Sequence, residues 1–362
     1  MVNTTFRKVF FTFRLAALAL APASHLSAQP TVTVLDSIVL EESGDNYLVL
    51  PAPVTPDGTG GYLIADYDQP RVLHYGGEGR FIQRYGREGE GPGEWKEARV
   101  ALPWGDDQVM VFSWDPPAAH AFRRDDGQFV ARHSLRTVFE SVVVDAGEVW
   151  LSGAVYTDRS AVGRTKLGDD EVEPVVGLPE EFEAGDPLGG IFPEMPFVKW
   201  ADTLLVGFMP LPYLIVSDTD GQELDRFEVS VVHRRGHPGD PGAAIREALG
   251  GGRYPDVFGL FSLTRGIHRR PDGTFLVVHF DLGTDGPPVS TEAMWVSVVD
   301  PSRSRACPDG RIPLEEGSHP AIGFEGDLLL VLDQVVRGGD AETVVRRIQV
   351  ETDGCNWVPL TR

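Results

Sequence analysis

PDGTGGYLIADYDQPRVLHYGGEGRFIQRYG, running from Pro56 to Gly86, decides the fold. A D-G turn opens it, an apolar run ends at Asp66, a second run begins at Arg71, and Gly76-Gly77-Glu78-Gly79 turns the chain into a third. Runs this short, alternating and punctuated by glycine, read as antiparallel strands joined by tight turns. The turn-then-apolar unit recurs as WGDDQVMVFSW from Trp104, AGEVWLSGAVY from Ala146, ADTLLVGFM from Ala201, PDGTFLVVHF from Pro271 and EGDLLLVLDQ from Glu325. Six such units, with no long helical pattern between them, imply blades arranged around an axis.

Turns and alternation divide the first unit into strands at Tyr47–Val54, Gly61–Tyr67, Arg71–Gly76 and Arg80–Gly86. The second repeats the order, its last hairpin closed by Asp125-Asp126-Gly127. The same count carried onward fills six four-stranded antiparallel blades, the sixth ending on Asn356–Leu360. One alternating strand, Thr31–Leu40, is left over. It is expected to complete or extend the sixth blade and close the ring, because pairing a terminal strand removes an exposed sheet edge. The expected fold is therefore an all-β, six-bladed β-propeller with an N-terminal closing strand.

The chain has 362 residues, 42% hydrophobic and 24% charged, the balance of a soluble globular protein. Arg7, Lys8 and Arg14, the apolar run Leu15–Pro22 and the small-residue stretch Ala23–Ala28 match the three regions of a secretory signal peptide. Residues 1–28 are expected to be removed, after Ala28 or Ala23, since the run falls short of the roughly 20 apolar residues of a spanning helix. No cysteine lies there to carry a lipid. Residues 29–362 then form a single propeller domain, exported to the periplasm or beyond, monomeric and without a membrane span. Removing Arg7, Lys8 and Arg14 takes the net charge from −22 to −25. Such a surface repels phosphate backbones and anionic lipid, which argues against nucleic-acid and membrane partners.

The two cysteines, Cys307 and Cys355, lie beside D-G turns near short apolar strands. In an exported chain an even pair reads as one disulfide, here between adjacent outer strands. Two isolated cysteines are too few for a zinc site.

Tyr62–Trp95, YLIADYDQPRVLHYGGEGRFIQRYGREGEGPGEW, resembles the NHL-type repeat of six-bladed β-propellers. The shared pattern is an apolar strand ending in Asp, a strand beginning Arg-apolar, a glycine turn, and an aromatic-Gly pair before a Gly-rich loop. The second unit keeps strand order and turn but has Ser113-Trp114-Asp115 in place of Ala65-Asp66, and later units keep only the turn and apolar run. The resemblance implies the fold. Propellers of this kind include binding scaffolds, lactonases and lyases, so it does not select an activity.

Loops joining strands two and three, and those joining successive blades, emerge on one face. That face carries the long segments Gly86–Lys96, Pro179–Met195, His233–Phe261 and Asp281–Glu292, and long loops concentrate recognition. In the longest, Asp240-Pro241 starts a helix through Ala243–Leu249 and Gly250-Gly251-Gly252 stops it, giving either a lid or a plug over the axial mouth. GREGEGPGEW lacks the Lys-Ser/Thr ending of a phosphate loop and carries Glu88, Glu90 and Glu94, so it reads as an inter-blade connection. Asp66 and Asp68 read as turn residues rather than calcium ligands.

Arg265, His268 and His319 fall at or near the starts of inner strands, where a propeller directs side chains to its axis. With Glu97 and Glu140 they form the candidate axial group, able to exchange protons or bind a polar ligand. Hydrogen bonding between blades is the other role open to them. No G-x-S-x-G element or close metal-ligand spacing occurs, and no cofactor is specified. Asparagine, a ligand in metal-dependent propeller lactonases, is scarce: after the leader only Asn46 and Asn356 remain. The leading expectation is a binding scaffold for a protein, peptide or glycan. The alternatives are a hydrolase or lyase with a polar or metal-containing axial site, and a structural envelope component.

Overall fold

In a computed structural model the chain forms six four-stranded antiparallel blades around one axis. The structure describes residues 29–362 except 136, 154–159, 170, 183–190, 238, 253, 285–289, 316 and 338–339. The expected signal peptide lies outside the described residues, as do parts of three of the long loops.

Blade 1 comprises Pro51–Pro56, Tyr62–Asp66, Arg71–Tyr75 and Phe81–Tyr85. Blade 2 comprises Glu97–Trp104, Gln108–Asp115, Pro117–Arg123 and Phe129–Ser134. Blade 3 comprises Ser141–Asp145, Glu148–Ser152, Ser160–Lys166 and Glu173–Gly177. Blade 4 comprises Phe197–Trp200, Thr203–Gly207, Tyr213–Asp218 and Glu223–Glu228. Blade 5 comprises Ser262–Arg269, Phe275–Leu282, Thr291–Asp300 and Arg305–Ile312. Blade 6 comprises Ala321–Glu325, Leu328–Arg337, Asp340–Glu351 and, from the other end of the chain, Thr31–Val39. The first strand of each blade touches the first strand of the next, and the sixth returns to the first.

Alternation along the second strands explains the core. Successive side chains point to opposite faces, so each blade packs against both neighbours. Leu63 joins Val109 between blades 1 and 2, whereas its neighbours Tyr62 and Ile64 join Leu330 between blades 6 and 1. Likewise Leu276 faces blade 6, and Val277 faces Leu205 of blade 4. Where blade 6 meets blade 1 the inner strands approach so closely that a Cβ on Gly323 would lie 1.7 Å from the Val54 carbonyl oxygen. Within blade 1 the first turn is pinned by Asp57, which accepts from the Thr59 and Gly61 amides and pairs with His74 Nε2 at 2.8 Å. Burial works against that charge, but these bonds hold the Asp57 carboxyl at about 2.

The sixth blade corrects the sequence-based strand count. Its outer strand is Thr31–Val39, paired antiparallel with Asp340–Glu351, and Asn356–Leu360 does not belong to it. Val358–Pro359 instead pairs with Arg305–Ile312 as a fifth strand on blade 5. The Cys307–Cys355 disulfide therefore staples the chain's end to the outer strand of blade 5 and does not join matching strands of two blades. Beyond it Leu360 is buried between blades 4 and 5, the Thr361 carbonyl accepts from the Glu228 amide at 2.8 Å, and Arg362 pairs with Asp225 at 3.0 Å. The last residues form a strap from blade 6 across blade 5 to blade 4.

Helix α1, Pro241–Gly250, begins where Asp240 accepts from the Ala243 amide at 2.8 Å and ends at Gly251; α2, Tyr254–Phe258, follows. Ile245 and Val257 are buried with Phe192, Met195 and Phe208 beside blades 3 and 4. In the Gly86–Trp95 connection, Gly86 adopts φ 78°, and a Cβ there would meet the buried Trp95 ring at 2.0 Å. Asp66 accepts from the Val49, Leu50 and Asp68 amides and so serves the turn.

Candidate axial binding site

All six inner strands, or the residues just before them, line one axial cavity of about 350 Å³. Its waist is apolar, formed by Val54, Val100, Val142, Phe197, Ile267 and Ile322. The loop-bearing end is charged. Glu140, immediately before blade 3, and Arg265, on blade 5, both face the cavity there.

Two β-bulges aim the arginines. Along blade 2, Ala98 pairs with Ser113 and Val100 with Phe112, leaving Arg99 as an extra residue. Along blade 5, Thr264 pairs with His279 and Gly266 with Val278, leaving Arg265 in the same position. A bulge bends its strand and redirects the unpaired side chain, here toward the axial mouth. Arg99 lies between the Tyr67 and Trp114 rings, 4.6 and 4.1 Å from their centroids. It pairs with Glu97 at 3.0 Å and with Glu140 at 3.4 Å. Arg265 pairs with Glu194 at 2.7 Å and lies over the Phe280 ring.

Three carboxylates thus share two guanidiniums. Glu140 is the most enclosed, its side chain 6% exposed. Burial pushes its carboxyl up to about 7; Arg99 and Arg265 oppose the shift, and Glu194 and Glu97 add to it. Burial also raises Glu97, against Arg99.

The mouth therefore brings together Glu97, Glu140 and Arg265 from the sequence-derived candidates, and adds Arg99, Glu194, Tyr67 and Trp114. His268 lines the same cavity three residues beyond Arg265, roughly 10 Å along the strand. Its Nε2–H donates to the Gly326 carbonyl at 2.7 Å and its ring stacks on Phe324. Burial lowers its pKa, so it sits as a neutral side chain at the far end. His319 is exposed before blade 6 and does not line the cavity. Glu97 and Arg99 are two apart on one strand, a charged pair in an otherwise apolar run, which was the available signal for Arg99. Glu194 carries no local signal, because a long connection delivers it. Among the described residues, no three His, Cys, Asp or Glu side chains group as metal ligands. No helix among them is long and apolar enough to cross a membrane.

The architecture defines the molecule as a six-bladed β-propeller with a charged axial mouth. Solved structures share it: a protein from Bacteroides fragilis described as exported has TM-score 0.62 and 11% identity, over 88% of this chain and 95% of the other. A DUF4221 family member from Bacteroides vulgatus has TM-score 0.62 and 9% identity, over 90% and 99%. A protein of unknown function from Bacteroides thetaiotaomicron has TM-score 0.53 and 12% identity, over 89% and 76%. At these identities the likeness is one of fold. No protein-family model matches the sequence, and no curated protein is similar to it; the NHL-type resemblance is carried by the first blade's residues alone.

Proposed function

We propose that this is an exported, monomeric binding protein that recognises a protein, peptide or glycan through its loop-bearing face, with part of the ligand entering the axial cavity. Residues 1–28 are its leader and residues 29–362 its single propeller domain. The observation that carries the reading is the convergence of six inner strands on one cavity whose mouth holds Arg99, Glu140, Glu194 and Arg265. Pockets of this kind combine an apolar wall with a few convergent polar groups. The disulfide and the exported neighbour of like fold support the compartment. Peptide and glycan arrays probed with wild type and with Ser141→Trp, which fills the cavity beside Glu140, test the reading. Ligands whose signal falls at least tenfold in the variant support it, and ligands indifferent to the mouth sink it.

A second reading, a hydrolase or lyase, rests on Glu140. A buried carboxyl with its pKa near 7 beside an arginine can give and take a proton at neutral pH. Turnover of ester, lactone or glycoside substrates that disappears in Glu140→Gln would establish it.

A further inference from the structure

We infer that the ligand group entering the axial cavity is an organic cation on an apolar stem, such as a lysine-like side chain or an alkylammonium, with its charge against Glu140. This rests on the axial-binding reading and supplies the ligand's chemistry.

The first argument is the wall. The apolar waist surrounds a cavity of about 350 Å³, within the usual range for small-ligand sites and wide enough for a short hydrocarbon stem. The second is the hydrogen-bond account at the mouth. Arg99 is clamped between two rings and engaged by Glu97, and Arg265 is engaged by Glu194. Glu140 is left with a 3.4 Å approach from Arg99, and among the described residues it accepts no closer hydrogen bond. A carboxylate largely withdrawn from water that has one distant cation beside it gains from a closer partner, and an ammonium brings three donors. An anion would have to displace Glu194 from Arg265 and then lie beside Glu140. The third is the field of the whole chain, net −22, which concentrates cations at a concave mouth.

The charged groups around Glu140 are Arg99 and Glu97 from blade 2, Glu194 from the connection to blade 4 and Arg265 from blade 5. A cation added there favours the ionised carboxylate, so uptake strengthens as pH rises through about 7.

Calorimetric titration of the intact protein at pH 8 with hexylammonium, hexan-1-ol and hexanoate separates the cases. Hexylammonium is expected to bind at least about tenfold tighter than hexan-1-ol, the value of one charge-assisted hydrogen bond. Glu140→Gln should erase that preference, and lowering the pH to 5.5 should weaken it. Arg265→Ala, which removes a competing cation, should strengthen it, and this second variant covers the case of a Gln variant that folds poorly. Tighter binding of hexanoate, equal binding of the alcohol, or a preference unchanged in both variants would overturn the cation assignment while leaving axial binding standing. Absence of binding by all three probes overturns the assignment too, and the array result then decides the broader reading separately.

Discussion

The strap invites the most direct test. Replacing both cysteines, as Cys307→Ala with Cys355→Ala, removes a bridge between residues separated by 48 positions. In the chain-entropy account a closed loop of that length stabilises the native state by about 4 kcal/mol at 25 °C. Spread over an unfolding entropy of roughly 2.1 cal/mol/K per residue, that corresponds to a melting temperature roughly 6 °C lower. Cys307 is fully buried in a small apolar site, so alanine keeps most of its packing. The remaining strap contacts, Val358 beside Ala306, Leu360 in its cluster and Arg362 on Asp225, stay available in the variant. The loss should therefore appear in global unfolding and leave the native spectrum unchanged. Urea titration followed by circular dichroism and by the summed fluorescence of the seven tryptophans, among them Trp357 beside Arg305, measures both. A midpoint indistinguishable from wild type, with mass spectrometry confirming the bridge in the parent, would refute the view that the staple holds the chain's end.

Three further outcomes are expected. Asp57 is ionised far more readily in the folded state, so its contribution is present above the unfolded value of 3.8 and is lost as pH falls through about 2; Asp57→Asn should cost about 2 kcal/mol at pH 7, with the difference fading toward pH 2 in urea titrations. Glu140 has the opposite sign: its folded pKa, about 7, exceeds the ordinary 4.5, so stability is full below 4.5 and declines as pH rises through 7. Glu140→Gln should thus be roughly 3 kcal/mol more stable than wild type at pH 8 and close to it at pH 4. Gly323→Ala forces the seam between blades 6 and 1 apart and should destabilise by about 1–3 kcal/mol in chemical denaturation; a neutral result would mean the two inner strands can separate freely.

The blades were legible because strand alternation and D-G turns are local signals, and the helix start at Asp240 was legible for the same reason. The owner of the sixth blade's outer position was not. Thr31–Val39 and Asn356–Leu360 both present short alternating runs, and only pairing chooses between them: the first matches eight positions of Asp340–Glu351, whereas the second pairs at just two on blade 5. The start of blade 5's fourth strand was not legible either: it runs Arg305–Ile312 through Cys-Pro-Asp-Gly, which reads locally as a turn and is an irregularity within the strand, with Asp309 at φ 58°. At the mouth, the inner-strand positions of Glu97 and Arg265 were visible in the repeats. The bulge that turns Arg99 inward is a property of two strands in register, so neither strand alone announces it.

Building blade 6 from both ends of the chain has a kinetic consequence. Thr31 pairs with Glu351, so the strand made first meets its partner only after the other blades have been synthesised. Until then its backbone donors and acceptors stay open, and so does the edge it will cover. Contacts of such long sequence separation form slowly, because the chain between them must be brought together before they repay the cost. Closure is thereby tied to completion: a chain halted before its sixth blade has no partner in that blade for its first strand.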